Sequence, residues 1–179
     1  MKDYKVNELA IFGGNPIRKE SFPVWPRVTP EMKDSLIDTF ENQSWGVGSE
    51  TIDLFNAEFA KMQDAKFALS IHSGTSAIWI CLKAAGIEAG DEVILPSYTF
   101  IATATAVVLA NAVPVFADID LETGNINPVS VQSLITSKTK AIIPVHTGGS
   151  PADLVSLIDI SKKHNICLLY TSPSPRDVE

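Results

Sequence analysis

The apolar positions of this chain change their spacing partway along, and the change predicts two kinds of structure. Up to residue 28 no period holds. Gly13-Gly14-Asn15-Pro16, Pro23 and Pro26 predict an irregular N-terminal arm broken by turns. Thr29-Pro30 then supplies a hydroxyl cap followed by proline at the first helical position. Met32, Leu36, Ile37 and Phe40 recur at helical spacing, so a helix follows. Beyond a loop at 43–48, Ser49 can cap a second helix whose stripe is Ile52, Phe55, Phe59 and Met62. Stripes of this kind ordinarily face a core, and both are assigned to core packing.

From residue 67 short apolar runs alternate with helical stretches. Runs at 67–71, 92–95, 114–116, 141–145 and 166–169 read as strands. Stretches at 75–85, 102–110, around 129–135 and 152–164 read as helices, the first closed by Gly86. Runs that are apolar at every position belong to strands buried on both faces. The alternation therefore predicts an α/β fold with a mostly parallel central sheet flanked by helices. After residue 169 the pattern fails, because Ser172-Pro173-Ser174-Pro175 offers neither ladder donors nor helix. Residues 170–179 are expected to be a non-native tail on an interrupted reading frame. A genuine flexible tail is the other reading.

Composition narrows the partners. Fourteen Lys and Arg against 21 Asp and Glu leave a formal net charge of −7. A nucleic-acid-binding face needs the opposite balance, so no nucleic acid is expected. No apolar run approaches the roughly 20 residues that cross a bilayer, and the first residues lack the apolar stretch of a secretion signal. Cys81 and Cys167 form no CxxC pair, which favours reduced thiols in a cytoplasmic protein over a disulfide or zinc framework. Asp118 and Asp120 have no third ligand at metal spacing and read as loop acids, so no metal site is assigned.

The segment with most chemistry is Ser70-Ile71-His72-Ser73-Gly74-Thr75-Ser76-Ala77, at a strand-to-helix joint. Backbone N–H groups at a helix start have no intrahelical partner, and the helix dipole favours an anion there. Gly74 lets the main chain approach a bound group, while Thr75 and Ser76 add hydroxyl donors, so the joint can hold a phosphate. A plain capped helix start would look the same. There is no GxxxxGK[ST], no GxGxxG and no GxSxG. Downstream, Phe100 lies just past the carboxyl end of a predicted parallel strand, where ligands bind in open α/β sheets, and could stack on a planar ring.

The strings SGTSAI, AAGIEAGDEVILPSYTFIATATAVVLANAVPVFADIDLETGNINP and IIPVHTGGSPADL, in this order, resemble the DegT/DnrJ/StrS-type sugar aminotransferases, which are fold-type I enzymes dependent on pyridoxal 5'-phosphate. The resemblance implies a coenzyme phosphate held at Gly74 and Thr75 with Ser76 nearby, and Phe100 stacked on the pyridine ring. It implies small-molecule substrates, with an amino group passing from glutamate or glutamine to a keto sugar or keto-cyclitol, and a homodimer. His146 matches a histidine common after this strand in the family, for which hydrogen bonding in a loop is the simpler role.

Pyridoxal chemistry also needs a Schiff-base lysine and a carboxylate on the ring nitrogen. The family's aspartate would follow the strand at 166–169, where this chain has Tyr170, Thr171 and Ser172, and no lysine lies in a matching context. No catalytic residue is therefore assigned. The expectation is an amino-terminal fragment, with an arm at 1–28, an incomplete coenzyme-binding domain at 29–169 and the tail at 170–179, inactive by itself. A non-catalytic module that binds a phosphate ligand, or an interaction domain without a ligand, also accounts for the absent lysine.

Overall fold

A computed structural model describes residues 9–170. The chain divides into two compact units, Met1–Ile52 and Asp53–Glu179. Residues 1–8 of the expected arm and 171–179 of the expected tail lie outside the described residues.

In the first unit a short 3-10 turn at Ala10–Phe12 precedes α1 (Pro30–Glu41). Thr29 caps α1 as its sequence requires, with Oγ1 accepting the Met32 N–H at 3.3 Å. Trp45, in the following loop, sits edge-on to Phe40 with ring centroids 5.4 Å apart. Contrary to expectation, the stripe of α1 is not core. Met32, Leu36, Ile37 and Phe40 are all exposed, and the helix buries no residue. An amphipathic stripe is buried only where a second layer faces it, and the irregular chain of this unit supplies none. The stripe of α2 (Glu50–Met62), which lies mostly in the second unit, is likewise not core: Phe55, Phe59 and Met62 are exposed and Ala60 is its one buried residue.

The second unit holds α3 (Gly74–Ala84), β1 (Glu92–Pro96), α4 (Ala102–Leu109), β2 (Val113–Ala117), α5 (Pro128–Leu134), β3 (Thr139–Ile142), α6 (Leu154–His164) and β4 (Cys167–Leu168). The strands form one sheet in the order β2-β1-β3-β4, parallel at every pairing. Register places Ile94 between Val115 and Ile142, and Ala141 beside Cys167. The expected strand at 67–71 is absent. Phe67 and Leu69 are exposed, and the Ser70 amide donates to Asn56 Oδ1 of α2 at 2.8 Å. A backbone donor satisfied by a side chain has no need of a ladder partner, and the run stays irregular.

Two-sided burial holds for the central strand. Val93, Ile94 and Leu95 have no exposure. Val93 and Leu95 pack with Leu82, Val107, Ile143 and Leu169 on one face, while Ile94 packs with Ile126, Val131, Ile142 and Leu157 on the other. The edge strand β2 departs from it, with Val113 and Phe116 about half exposed. Caps fix the helix ends. Asn127 Oδ1 accepts from the Val129 amide at the start of α5, and Asp153 Oδ1 from the Ser156 amide at the start of α6.

Ile94→Ala is expected to cost about 2–5 kcal/mol, since it opens a cavity in a fully buried layer, while Val155→Ala on the exposed face of α6 stays within about 0.5 kcal/mol. Urea unfolding midpoints of the two variants check this. The Ser156 hydroxyl and then its amide hold the Asp153 carboxyl below the ordinary carboxylate value. A group depressed in the folded state stabilises above its unfolded value and loses that contribution as pH falls through the folded one. Asp153→Ala removes the cap of α6 and should cost about 1 kcal/mol at neutral pH, with the gap to wild type narrowing under acid conditions.

Candidate functional site

Parallel strands bring their carboxyl ends to one edge of the sheet, and three segments meet there. The chain leaving β1 turns at Ser97, whose amide donates to Ala117 O at 2.9 Å, and continues through Thr99 and Phe100 into α4. Thr99 Oγ1 and Thr103 Oγ1 lie 2.9 Å apart across that turn. The chain leaving β3 carries Ile143, Pro144, Val145 and His146. The first turn of α3 forms the third wall. Together they enclose a cavity of about 470 Å³ lined by Gly74, Thr75, Phe100, Thr103, Pro144 and His146 among others, within the range of small-molecule sites.

Ser73 caps α3. Its Oγ accepts the Ser76 N–H at 3.2 Å and its carbonyl the Ala77 N–H at 3.0 Å. That leaves the amides of Gly74 and Thr75, the first two of the helix, without an acceptor among the described residues. Both residues line the cavity. A Cβ placed on Gly74 would meet nothing within 4 Å, so a ligand atom can come close to the backbone there. Two unsatisfied donors at the positive end of a helix dipole favour an anion, each dipole contribution being about 0.3–1 kcal/mol.

The other wall is aromatic and polar. Phe100 is 77% exposed, its ring free to meet a flat ligand. His146 Nδ1 accepts the Ala152 amide at 3.0 Å, which puts the proton of the neutral ring on Nε2. The loop role foreseen for His146 is thus observed, and its ring also lines the cavity. Among the described residues no lysine, arginine or carboxylate lines it. Cys167, on the neighbouring strand, has its thiol pushed up by burial first and by Cys81 second.

Of the four residues expected from sequence, Gly74, Thr75 and Phe100 line one cavity, whereas Ser76 is not among the lining residues. The Ser76 hydroxyl accepts from Ser73 Oγ at 3.1 Å and meets His72 Nε2 at 2.9 Å. Asp120 serves as a loop acid, its Oδ1 accepting from the Glu122 and Thr123 amides at 3.0 and 2.9 Å. Sequence reasoning missed Asn125. It is 3% exposed and bonded through its side chain to the segment that carries His146. Its one signal was a turn-forming Gly124-Asn125 pair.

Residues 26–173 match the DegT/DnrJ/EryC1/StrS aminotransferase family. The L-glutamine:2-deoxy-scyllo-inosose aminotransferase of Streptomyces kanamyceticus is 38% identical over 169 residues, covering 91% of this chain and 40% of that protein. A solved aminotransferase from Psychrobacter cryohalolentis is similar with a TM-score of 0.77 and 37% identity, over 83% of this chain and 38% of that one. NtdA of Bacillus subtilis, solved with bound cofactor PMP, is similar with a TM-score of 0.75 and 27% identity, over 94% and 40% of the two chains. The chain spans about 40% of the length of the curated relatives it matches.

The open space at Gly74 separates a packing role from a ligand role. Gly74→Ala should leave stability unchanged or raise it by up to about 1 kcal/mol, because helical alanine is favoured and nothing obstructs its methyl. The same change should weaken inorganic phosphate binding about tenfold, read as the amide shift of Thr75 on titration. Unchanged phosphate affinity would show that no anion approaches over Gly74.

Proposed function

The chain belongs to the DegT/DnrJ/EryC1/StrS aminotransferase family, and on that premise we propose that its cavity is the phosphate- and ring-binding part of a pyridoxal 5'-phosphate site. The observation that carries the reading is the pairing of two free helix-start amides, at Gly74 and Thr75, with an exposed aromatic ring, Phe100, across one cavity. The chemistry of the walls suits the coenzyme: backbone donors for a phosphate at one end, a flat apolar face for a pyridine ring at the other. Gly74 and Thr75 hold the phosphate, with the Ser76 hydroxyl nearby. Phe100 lies against the ring, and His146 lines the cavity from the exit of β3. When bound, the coenzyme supplies the electron sink through which an amino group is exchanged between an amino acid and a ketone.

For the complete enzyme the substrates are a keto sugar or keto-cyclitol and, as amino donor, glutamate or glutamine. The S. kanamyceticus relative supports this choice, since its name pairs L-glutamine with 2-deoxy-scyllo-inosose. We assign the enzyme to the cytoplasm as a homodimer, making amino sugars or aminocyclitols. Among the described residues no helix is long and apolar enough to cross a membrane.

The 179-residue chain is held to be inactive by itself. Covalent anchoring needs a lysine, and the ring nitrogen needs a carboxylate. Among the described residues neither type lines the cavity. Incubation with pyridoxal phosphate followed by borohydride is expected to fix no stoichiometric adduct at any one lysine, as read by peptide mass spectrometry. One fully labelled lysine would overturn the claim of inactivity. The site itself is tested by pyridoxamine phosphate, which cannot form such adducts: it should shift the Gly74 and Thr75 amides at saturable concentrations, and no shift would remove the coenzyme reading.

A further inference from the structure

We infer that Asn125 is a positioning residue, whose buried side-chain amide sets the ring-side wall of the cavity by clamping the 146–152 segment. The inference rests on the coenzyme reading above. Asn125 Nδ2 donates to Ser150 O at 3.1 Å and to Pro151 O at 2.9 Å, and Asn125 Oδ1 accepts the Thr147 amide at 3.0 Å. All three partners are main-chain groups of one short segment. That segment begins at His146, which lines the cavity, and it closes on itself where the Ala152 amide reaches His146 Nδ1.

The segment needs such a clamp. Its middle is Thr147-Gly148-Gly149, and both glycines have positive φ, at 61° and 81°. Glycine visits this region and its mirror about equally, so local preference does not fix the path. Only a carboxamide can offer two N–H donors to paired carbonyls and an oxygen to an amide at once. Asn125 is itself held, its amide on Thr123 Oγ1 at 3.2 Å and its carbonyl receiving the Asp120 amide at 2.8 Å. Thr147 Oγ1 donates back to Gly124 O at 3.1 Å. A third segment closes in at the same point. A Cβ on Gly124 would lie 3.4 Å from Thr147 Cγ2 and 3.7 Å from Tyr98 Cδ1, and Tyr98 stands two residues before Phe100. The clamp thus holds the segment that carries His146 and lies close to the one that carries Phe100. It has no bond to Gly74 or Thr75.

This division makes the role testable. The full chain is titrated with two probes, pyridoxamine 5'-phosphate and inorganic phosphate, each followed at the Gly74 and Thr75 amides. Asn125→Asp keeps the acceptor for Thr147 but turns an oxygen toward two carbonyls. Thr147→Val removes one bond from the opposite side of the clamp and buries no charge, so it reports even if the first variant does not fold. Both are expected to weaken pyridoxamine phosphate by about tenfold or more while inorganic phosphate stays within about twofold. Equal weakening of the two probes would mean that the residue acts only on general stability, and would overturn the inference. So would wild-type affinity for both. Should the wild-type chain bind inorganic phosphate but no pyridoxamine phosphate, the coenzyme reading fails first and this inference with it; wild-type binding of pyridoxamine phosphate with unaffected variants sinks the inference alone.

Discussion

The second unit depends on the complete burial of one strand. Val93, Ile94 and Leu95 of β1 can lose all contact with water only if apolar layers cover both faces of the sheet, and α3 with α4 on one side and α5 with α6 on the other provide them. Covering both faces with helices makes each connection between strands a crossover, and crossovers keep the strands parallel. Parallel strands in turn deliver their exits to one edge. The cavity is a consequence of that sequence of constraints. The exits of β1 and β3 supply Phe100 and His146, and α3 is held against the same core through Leu82, with its open end beside them.

Much of this was legible because the signals were local. The cap at Thr29, the Gly86 stop and the apolar run of β1 each state their structure within a few residues, and the small, hydroxyl-rich joint at Ser73–Ser76 marks the start of α3. Three of the four expected site residues share the cavity for the same reason: Gly74 and Thr75 are fixed by the helix start, and Phe100 by the strand exit. Ser76 differs by one step around the helix, where its hydroxyl meets Ser73 and His72 instead. Asn125 was invisible because its partners lie more than 20 positions away, and nothing in a single asparagine names the carbonyls that it will serve.

The misreadings share a physical origin. Apolar periodicity reports that a face should be buried, not what buries it. The stripe of α1 and the stacked Phe55 and Phe59 of α2, with ring centroids 5.8 Å apart, are amphipathic faces without a cover among the described residues. At about 25 cal/mol per Å² of apolar surface, leaving such rings in water forgoes much of the stabilisation that a covered face contributes. The run at 67–71 fails in the same way. Its apolar residues suit a strand, but the Ser70 amide is taken by Asn56, and with no neighbouring ladder the run has no reason to extend.

The two ends of the cavity are built on different principles, and this bears on what the site can and cannot do. The end at α3 offers main-chain donors, the Gly74 and Thr75 amides, whose direction is set by the helix. The rest of the lining uses side chains, with Phe100 on the turn that leaves β1 and His146 at the head of a glycine-rich segment that the Asn125 amide bonds from outside. Among the described lining residues there is no lysine or carboxylate, and the imidazole of His146 has Nδ1 engaged with the Ala152 amide. On the coenzyme reading proposed above, walls of this composition suit gripping a phosphorylated ring, while no lysine or carboxylate among the described lining residues is there to move protons on it.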